Sequence, residues 1–102
     1  MRCRACARAL AARGARAPLP DGRDRGTFSN PAGHSFELLA FSEAPGAIAV
    51  TPPSTAFAWF AGYAWQVALC RGCEGHVGWR FASLDEQRPA FVALIADAVD
   101  NG

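Results

Sequence analysis

Between His34 and Ser42, apolar positions fall on both sides of a two-residue repeat. Phe36, Leu38 and Ala40 share one face, and Glu37, Leu39 and Phe41 share the other. This predicts a strand. A shorter strand over Thr27–Asn30 precedes it, and Asn30-Pro31-Ala32-Gly33 has the composition of a turn. Ala47–Val50 reads as another extended segment, set off by Pro45-Gly46 and Pro52-Pro53. An aromatic block follows, with Phe57, Trp59, Phe60, Tyr63 and Trp65. β-forming residues on both sides of Ala61-Gly62 predict a hairpin there, its second arm (Ala64–Leu69) leading into Cys70. Val77–Ser83 predicts a further strand with Trp79 and Phe81 on one face. The period then lengthens. Phe91, Leu94, Ile95, Ala98 and Val99 share a helical stripe, Pro89 suits its first turn and Asn101-Gly102 its end, so a short C-terminal helix is predicted. Residues 7–26, broken by Pro18, Pro20, Gly22 and Gly26, read as a connector or mobile loop behind a cysteine knuckle at residues 1–6.

A chain of 102 residues predicts one domain, residues 1–102, and a hydrophobic content of 51% is enough for a core. No apolar run approaches the roughly 18–20 residues of a membrane span, so no membrane association is expected. The N-terminus is rich in Arg and Ala but has no apolar stretch of the secretory type. The formal net charge of +1 is a poor basis for neutralising phosphates, so no nucleic-acid partner is expected.

The four cysteines form two Cys-x-x-Cys units, Cys3/Cys6 and Cys70/Cys73, with none left over. A Cys-x-x-Cys turn sets two sulfurs on one side of a metal, and two such turns complete a tetrahedral Zn²⁺ site with no water position, hence a structural one. Their separation by residues 7–69 means that most of a sheet is built between the knuckles. The competing readings are paired disulfides and a redox Cys-x-x-Cys. Disulfides within each turn would not join the knuckles, and a redox site needs only one motif. His76, three residues past Cys73, reads as packing beside a complete Cys₄ set. Thiolate ligands and the missing secretory signal give a cytoplasmic expectation.

Trp59, Trp65 and Trp79 individually read as core packing. Together they suggest more. Trp59 and Trp65 flank the predicted turn, Trp79 follows the second knuckle, and Phe57 and Phe81 each stand two residues from a tryptophan, on the same face. Such walls make a rigid apolar slot for a small flat ring. An aromatic cage for a cation is the rival use. The lack of any Asp or Glu over residues 44–73 leans towards a neutral ligand.

The run Thr55-Ala56-Phe57-Ala58-Trp59-Phe60-Ala61-Gly62-Tyr63-Ala64-Trp65, the pair Cys70/Cys73, and His76-Val77-Gly78-Trp79-Arg80-Phe81 resemble the CULT-domain family, the thalidomide-binding domains of cereblon. Asn30-Pro31-Ala32-Gly33 resembles that family's Asn-Pro-x-Gly loop, and Cys3/Cys6 its first knuckle. The chain's length looks like that of the bacterial single-domain members, so ligase docking is not expected. The resemblance implies a mostly β fold, a β-tent of two antiparallel sheets pinned by a structural Cys₄ zinc site. It implies a tri-tryptophan pocket for cyclic imides (glutarimide, thalidomide-like rings) or uracil- and uridine-like rings, with a cyclic imide at a protein C-terminus as one form of the ligand. By position Trp59, Trp65 and Trp79 would be the walls and Phe81 the base. The Phe57 and Trp59 backbone would pair with the imide, and Asn30 would close over the ring. Two departures stand out. Phe57-Ala58 replaces the His-Ser of eukaryotic members, losing any side-chain bond worth roughly 1 kcal/mol. Phe60-Ala61-Gly62 replaces Phe-Pro-Gly.

Three functional classes follow. The first is a binding module for a cyclic imide or uracil-like ring. The second is a cage that reads a cationic or modified peptide group. The third is an enzyme of the methionine sulfoxide reductase type, a family that shares the β-tent. That chemistry needs a reactive cysteine beyond the metal ligands, and none is left, so no enzyme and no catalytic residue is expected.

Overall fold

The computed structural model describes residues 1–100. It contains eight strands: β1 (Arg2–Cys3), β2 (Arg25–Ser29), β3 (Ser35–Phe41), β4 (Ala47–Ala49), β5 (Tyr63–Cys70), β6 (His76–Ser83), β7 (Phe91–Ile95) and β8 (Val99–Asp100). They form two antiparallel sheets. Six strands run in the order β2-β3-β7-β6-β5-β4, and β1 pairs separately with β8. Among the described residues no helix is long and apolar enough to cross a membrane.

The centre of the large sheet is buried on both faces, which explains the apolar residues on both sides of the repeat. In β3, Leu38 and Ala40 join an aromatic core with Tyr63, Trp79, Phe81 and Phe91. Leu39 and Phe41 join a second core around Cys3, Cys70, Val77 and Leu94. A bulge serves this division. Ala68 pairs with Gly78 but Leu69 with His76, so Val77 is the extra residue. Val77 thereby turns to the cysteine side while Trp79 and Phe81 face the aromatic side.

The backbone of Gly78 also lies close against β7. A Cβ there would lie 2.0 Å from the Ala93 carbonyl oxygen, a contact only strand separation could relieve. Gly78→Ala is therefore expected to destabilise the chain by on the order of 3 kcal/mol, read as a lower denaturation midpoint. An unchanged midpoint would mean the β6–β7 pairing yields without cost.

Three expectations need correction. The predicted C-terminal helix is β7, a 3₁₀ turn at Ala96–Ala98, and β8. A central strand with Phe91, Ala93 and Ile95 on one core and Val92 and Leu94 on the other is apolar throughout, so period two and period 3.6 cannot be told apart there. The helix end placed at Asn101-Gly102 lies outside the described residues. The hairpin at Ala61-Gly62 is absent. Residues 57–62 hold turns and bends, β5 starts at Tyr63, and Trp65 pairs with Phe81 of β6 on one side and with the isolated bridge residue Ser54 on the other. Finally, residues 7–26 are built into the fold. Leu10 and Leu19 are among the most buried side chains, and Ala17 N–H and Ser42 N–H bond to Ala40 and Ala15 carbonyls.

Candidate functional site: a four-cysteine centre and an aromatic cavity

The two cysteine turns have the same internal wiring. Cys3 N–H donates to the Arg8 carbonyl and Ala7 N–H to the Cys3 carbonyl; Cys70 N–H donates to Gly75 and Glu74 N–H to Cys70. In each, the residue after the second cysteine is left-handed, with φ of 66° at Ala7 and 62° at Glu74. The β1–β8 pair and the start of the β5–β6 connection bring the turns together. Cys3 Sγ lies 3.7 Å from Cys73 Sγ and Cys6 Sγ 3.5 Å from Cys70 Sγ, and all four sulfurs lie within 4.8 Å of one another.

A regular tetrahedron with bonds of about 2.3 Å has edges of about 3.8 Å, so this spacing fits one ion held by four thiolates. Gly72 leaves room for the arrangement, since a Cβ there would lie 3.1 Å from Cys6 Sγ. Burial pushes the Cys70 thiol up, but backbone N–H groups of Cys73 and Gly72 outweigh it and bring it down to about 7. The Arg8 backbone N–H works to lower Cys6, yet burial and the three neighbouring sulfurs raise it to about 11. Four thiols this close do not all ionise without a cation among them. The cluster can therefore bind a metal ion, and no cysteine is left over as a nucleophile.

On the opposite side of the sheet, at the end where β7 stops, a cavity of about 390 Å³ opens. Ile95 pairs with Leu38 and Leu94 with Gly78, so Phe36 and His76 lie past the last residue of β7 and line the space it leaves. Trp65 and Trp79 reach it from β5 and β6, and Trp59 from the loop before β5. Trp79 is almost fully buried and meets three rings edge-on: Trp59 at 4.8 Å and 82°, Phe36 at 5.1 Å and 74°, His76 at 4.6 Å and 88°. Trp59 Nε1 donates to the Ser29 carbonyl and Trp65 Nε1 to the Ala56 carbonyl, both at 2.8 Å. Both indole N–H groups are thus committed to backbone, and these bonds fix the two rings in place.

Phe81 is fully buried, stacked on Phe91 at 5.0 Å, and lines the cavity. Asn30 lies on its rim in the β2–β3 turn, where its Oδ1 accepts the His34 N–H and Gly33 N–H donates to its carbonyl. Phe57 also lines the cavity, but in a left-handed turn with its ring exposed, so it does not share a strand face with Trp59. The structure thus brings all six residues singled out in the sequence to one cavity. Phe36, Val67 and His76 line it too and were not predicted there. Phe36 carried a signal in its alternation with Leu38, but its role depends on β7 ending early, which the sequence misassigned to a helix.

Among the described residues no Asp, Glu, Lys or Arg lines the cavity. His76 Nε2 lies 3.0 Å from the Gly78 carbonyl, which can only accept, so Nε2 carries the proton and Nδ1 is an acceptor. Desolvation lowers the His76 pKa from its ordinary value, opposed by that carbonyl.

No family model matches the chain. Among curated proteins it is similar to cereblon of Danio rerio, 38% identical over 74 residues, which cover 71% of this chain and 17% of that protein. It is 41% identical to cereblon of Gallus gallus over 56 residues, covering 55% of this chain and 13% of that protein. It is 53% identical to cereblon of Drosophila melanogaster over 32 residues, covering 31% and 6%. Over 71% of its length the chain is similar to cereblon, as a cereblon-like CULT domain would be. It spans 17% or less of the length of these cereblon relatives. Its four-cysteine cluster and aromatic cavity fit a binding module of the cereblon-like type.

Proposed function

We propose that residues 1–102 act as a single binding unit whose aromatic cavity takes a neutral cyclic imide or a uracil-like ring, free or as a cyclic imide at a protein C-terminus. One observation carries the reading: Trp59, Trp65 and Trp79 line a single cavity of about 390 Å³ with no charged side chain among the described residues that line it. That size is at the small end of the roughly 300–1,000 Å³ of ligand sites. The indole faces supply apolar contact at little entropic cost. Orientation comes from backbone, because no group among the described residues bonds to the N–H or carbonyl of Phe57 or Trp59. A ring with alternating carbonyl and N–H edges suits such donors and acceptors. A cationic ligand would enter without a carboxylate to meet it, so the neutral ring is preferred.

Zn²⁺ is the metal we assign to Cys3, Cys6, Cys70 and Cys73. Four thiolates leave it no open position, and when bound it supplies cross-linking rather than chemistry. With every cysteine in that cluster, binding rather than catalysis is the activity. Reduced thiolates suit the cytoplasm.

Titrating the zinc-loaded chain with glutarimide and with uridine, following tryptophan emission, tests the reading. Quenching with a micromolar Kd for at least one ring is expected. A flat response to both at millimolar concentration overturns it, and stronger competition by trimethyl-lysine peptides would replace it with the cationic cage.

A further inference from the structure

The large sheet has two outer strands, and they are dressed differently. β2 exposes Arg25, Thr27 and Ser29 and carries the Arg25–Glu37 ion pair, the kind of polar surface that discourages pairing with another chain. β4 has no such guard. It reads Ala47-Ile48-Ala49 and runs on into Val50, and both Ile48 and Val50 are exposed. Gly46 C=O accepts the Arg71 N–H and Val50 N–H donates to Val67, so alternate positions bond to β5 and the backbone of Ala47 and Ala49 faces outward. Ala47 N–H is taken by the Ala44 carbonyl. The Ala47 carbonyl and both backbone groups of Ala49 have no partner among the described residues. Gly46 N–H donates to Leu10, which anchors the start of this open edge.

A groove of about 460 Å³ adjoins the edge, on the face of the sheet turned away from the aromatic cavity. Ala47, Ala49 and Val92 give it a low apolar floor, and Arg71 and Arg80 line it. Arg71 Nε donates to the Pro45 carbonyl and Arg80 Nη1 to Gln66 Oε1, so neutral oxygens position both guanidinium groups. Neither arginine makes an ion pair among the described residues, although Glu43 lines the same groove.

We propose that β4 and this groove dock an extended acidic segment of a partner protein, added to the sheet as a seventh strand. The outward groups of Ala47 and Ala49 supply the main-chain hydrogen bonds. The pleat sets the side-chain pattern. Partner residues opposite Ala47 and Ala49 point to the groove, where carboxylates meet Arg71 and Arg80, and the intervening residues pass over Ile48 and Val50. The fitting segment therefore alternates acidic and apolar residues. This surface does not depend on what the aromatic cavity holds.

The test titrates the ¹⁵N-labelled, zinc-loaded chain with a blocked pentapeptide alternating Glu and Val. The Ala49 amide signal is expected to shift, and its exchange with solvent to slow, as the peptide saturates the edge. The double variant Arg71→Gln/Arg80→Gln is expected to bind roughly three- to tenfold more weakly, the scale of two exposed ion pairs. Since Arg71→Gln also loses the bond to Pro45, a Lys/Val peptide on the wild type measures the charge requirement separately and is expected not to bind. A Glu/Val peptide N-methylated at alternate residues cannot donate to the edge and is expected to fail as well. No response at Ala49 with millimolar peptide overturns the proposal, as does equal binding of the Lys/Val peptide, of the methylated peptide or by the double variant. Self-association of the chain alone in sedimentation, abolished by Ile48→Lys, would give the edge to a second copy instead.

Discussion

Replacing the exposed Cys73 with serine is expected to cost as much stability as replacing the fully buried Cys70. Burial alone predicts otherwise. Cys70 packs with Leu10, Phe41, Val77 and Leu94, so its loss would disturb a core, whereas a surface substitution is usually within about 0.5 kcal/mol of neutral. Ligation removes the distinction, because each thiolate is one quarter of the same site. The metal ties the first knuckle to the second. β1 and β8 are two residues long each, and the second knuckle is a tight turn between β5 and β6. Structural zinc contributes about 10–16 kcal/mol apparent in small peptides, against a total stability of about 5–15 kcal/mol for a typical domain. Both variants, and the wild type after chelation, are therefore expected to lose the cooperative thermal transition and near-UV tryptophan signal. Added Zn²⁺ restores the wild type only. A Cys73→Ser chain that melts like the wild type would show that the sulfur cluster does not hold the fold.

The cysteine set could be read from sequence because metal ligation depends on residue type and short spacing, both local. The cage was legible only in membership. Trp59, Trp65 and Trp79 do share a cavity, but not across the hairpin that the residues around Ala61-Gly62 suggested. Trp59 sits on a loop held by Ser29, thirty positions earlier in the chain, a contact no local pattern encodes. The misread C-terminal segment has the same origin. β7 lies between β3 and β6, and a strand with two buried faces has no polar stripe to reveal its period. The opening that admits Phe36 and His76 exists only because β7 ends at Ile95. Residues 7–26 were taken for a connector because the weight of Leu10 and Leu19 comes from what they touch. Close approach there also shows at Gly46, where a Cβ would stand 2.0 Å from the Ala9 carbonyl oxygen.

The cage gives the other large effect, and two tryptophans separate binding from folding. Trp79 is 8% exposed, sits in β6, and abuts Trp59, Phe36 and His76. Truncating it to alanine removes a large core side chain and is expected to cost about 3–5 kcal/mol of stability along with the ligand site. Trp59 is only partly buried and lies outside the sheet; its ring is held by one hydrogen bond to Ser29 and by ring contacts with Trp79 at 4.8 Å and Phe28 at 5.6 Å. Trp59→Ala is therefore expected to lower the melting temperature far less. Its effect on affinity is expected to match that of Trp79→Ala, because each removes one wall of a slot whose binding energy is apolar contact. Loss of a central aromatic anchor costs about 2 kcal/mol or more, a roughly thirtyfold weaker Kd for glutarimide. Calorimetric Kd values set beside thermal melts for the two variants resolve the two effects. If Trp59→Ala folds and binds the ring as the wild type does, the indole faces are core packing and the ligand site lies elsewhere.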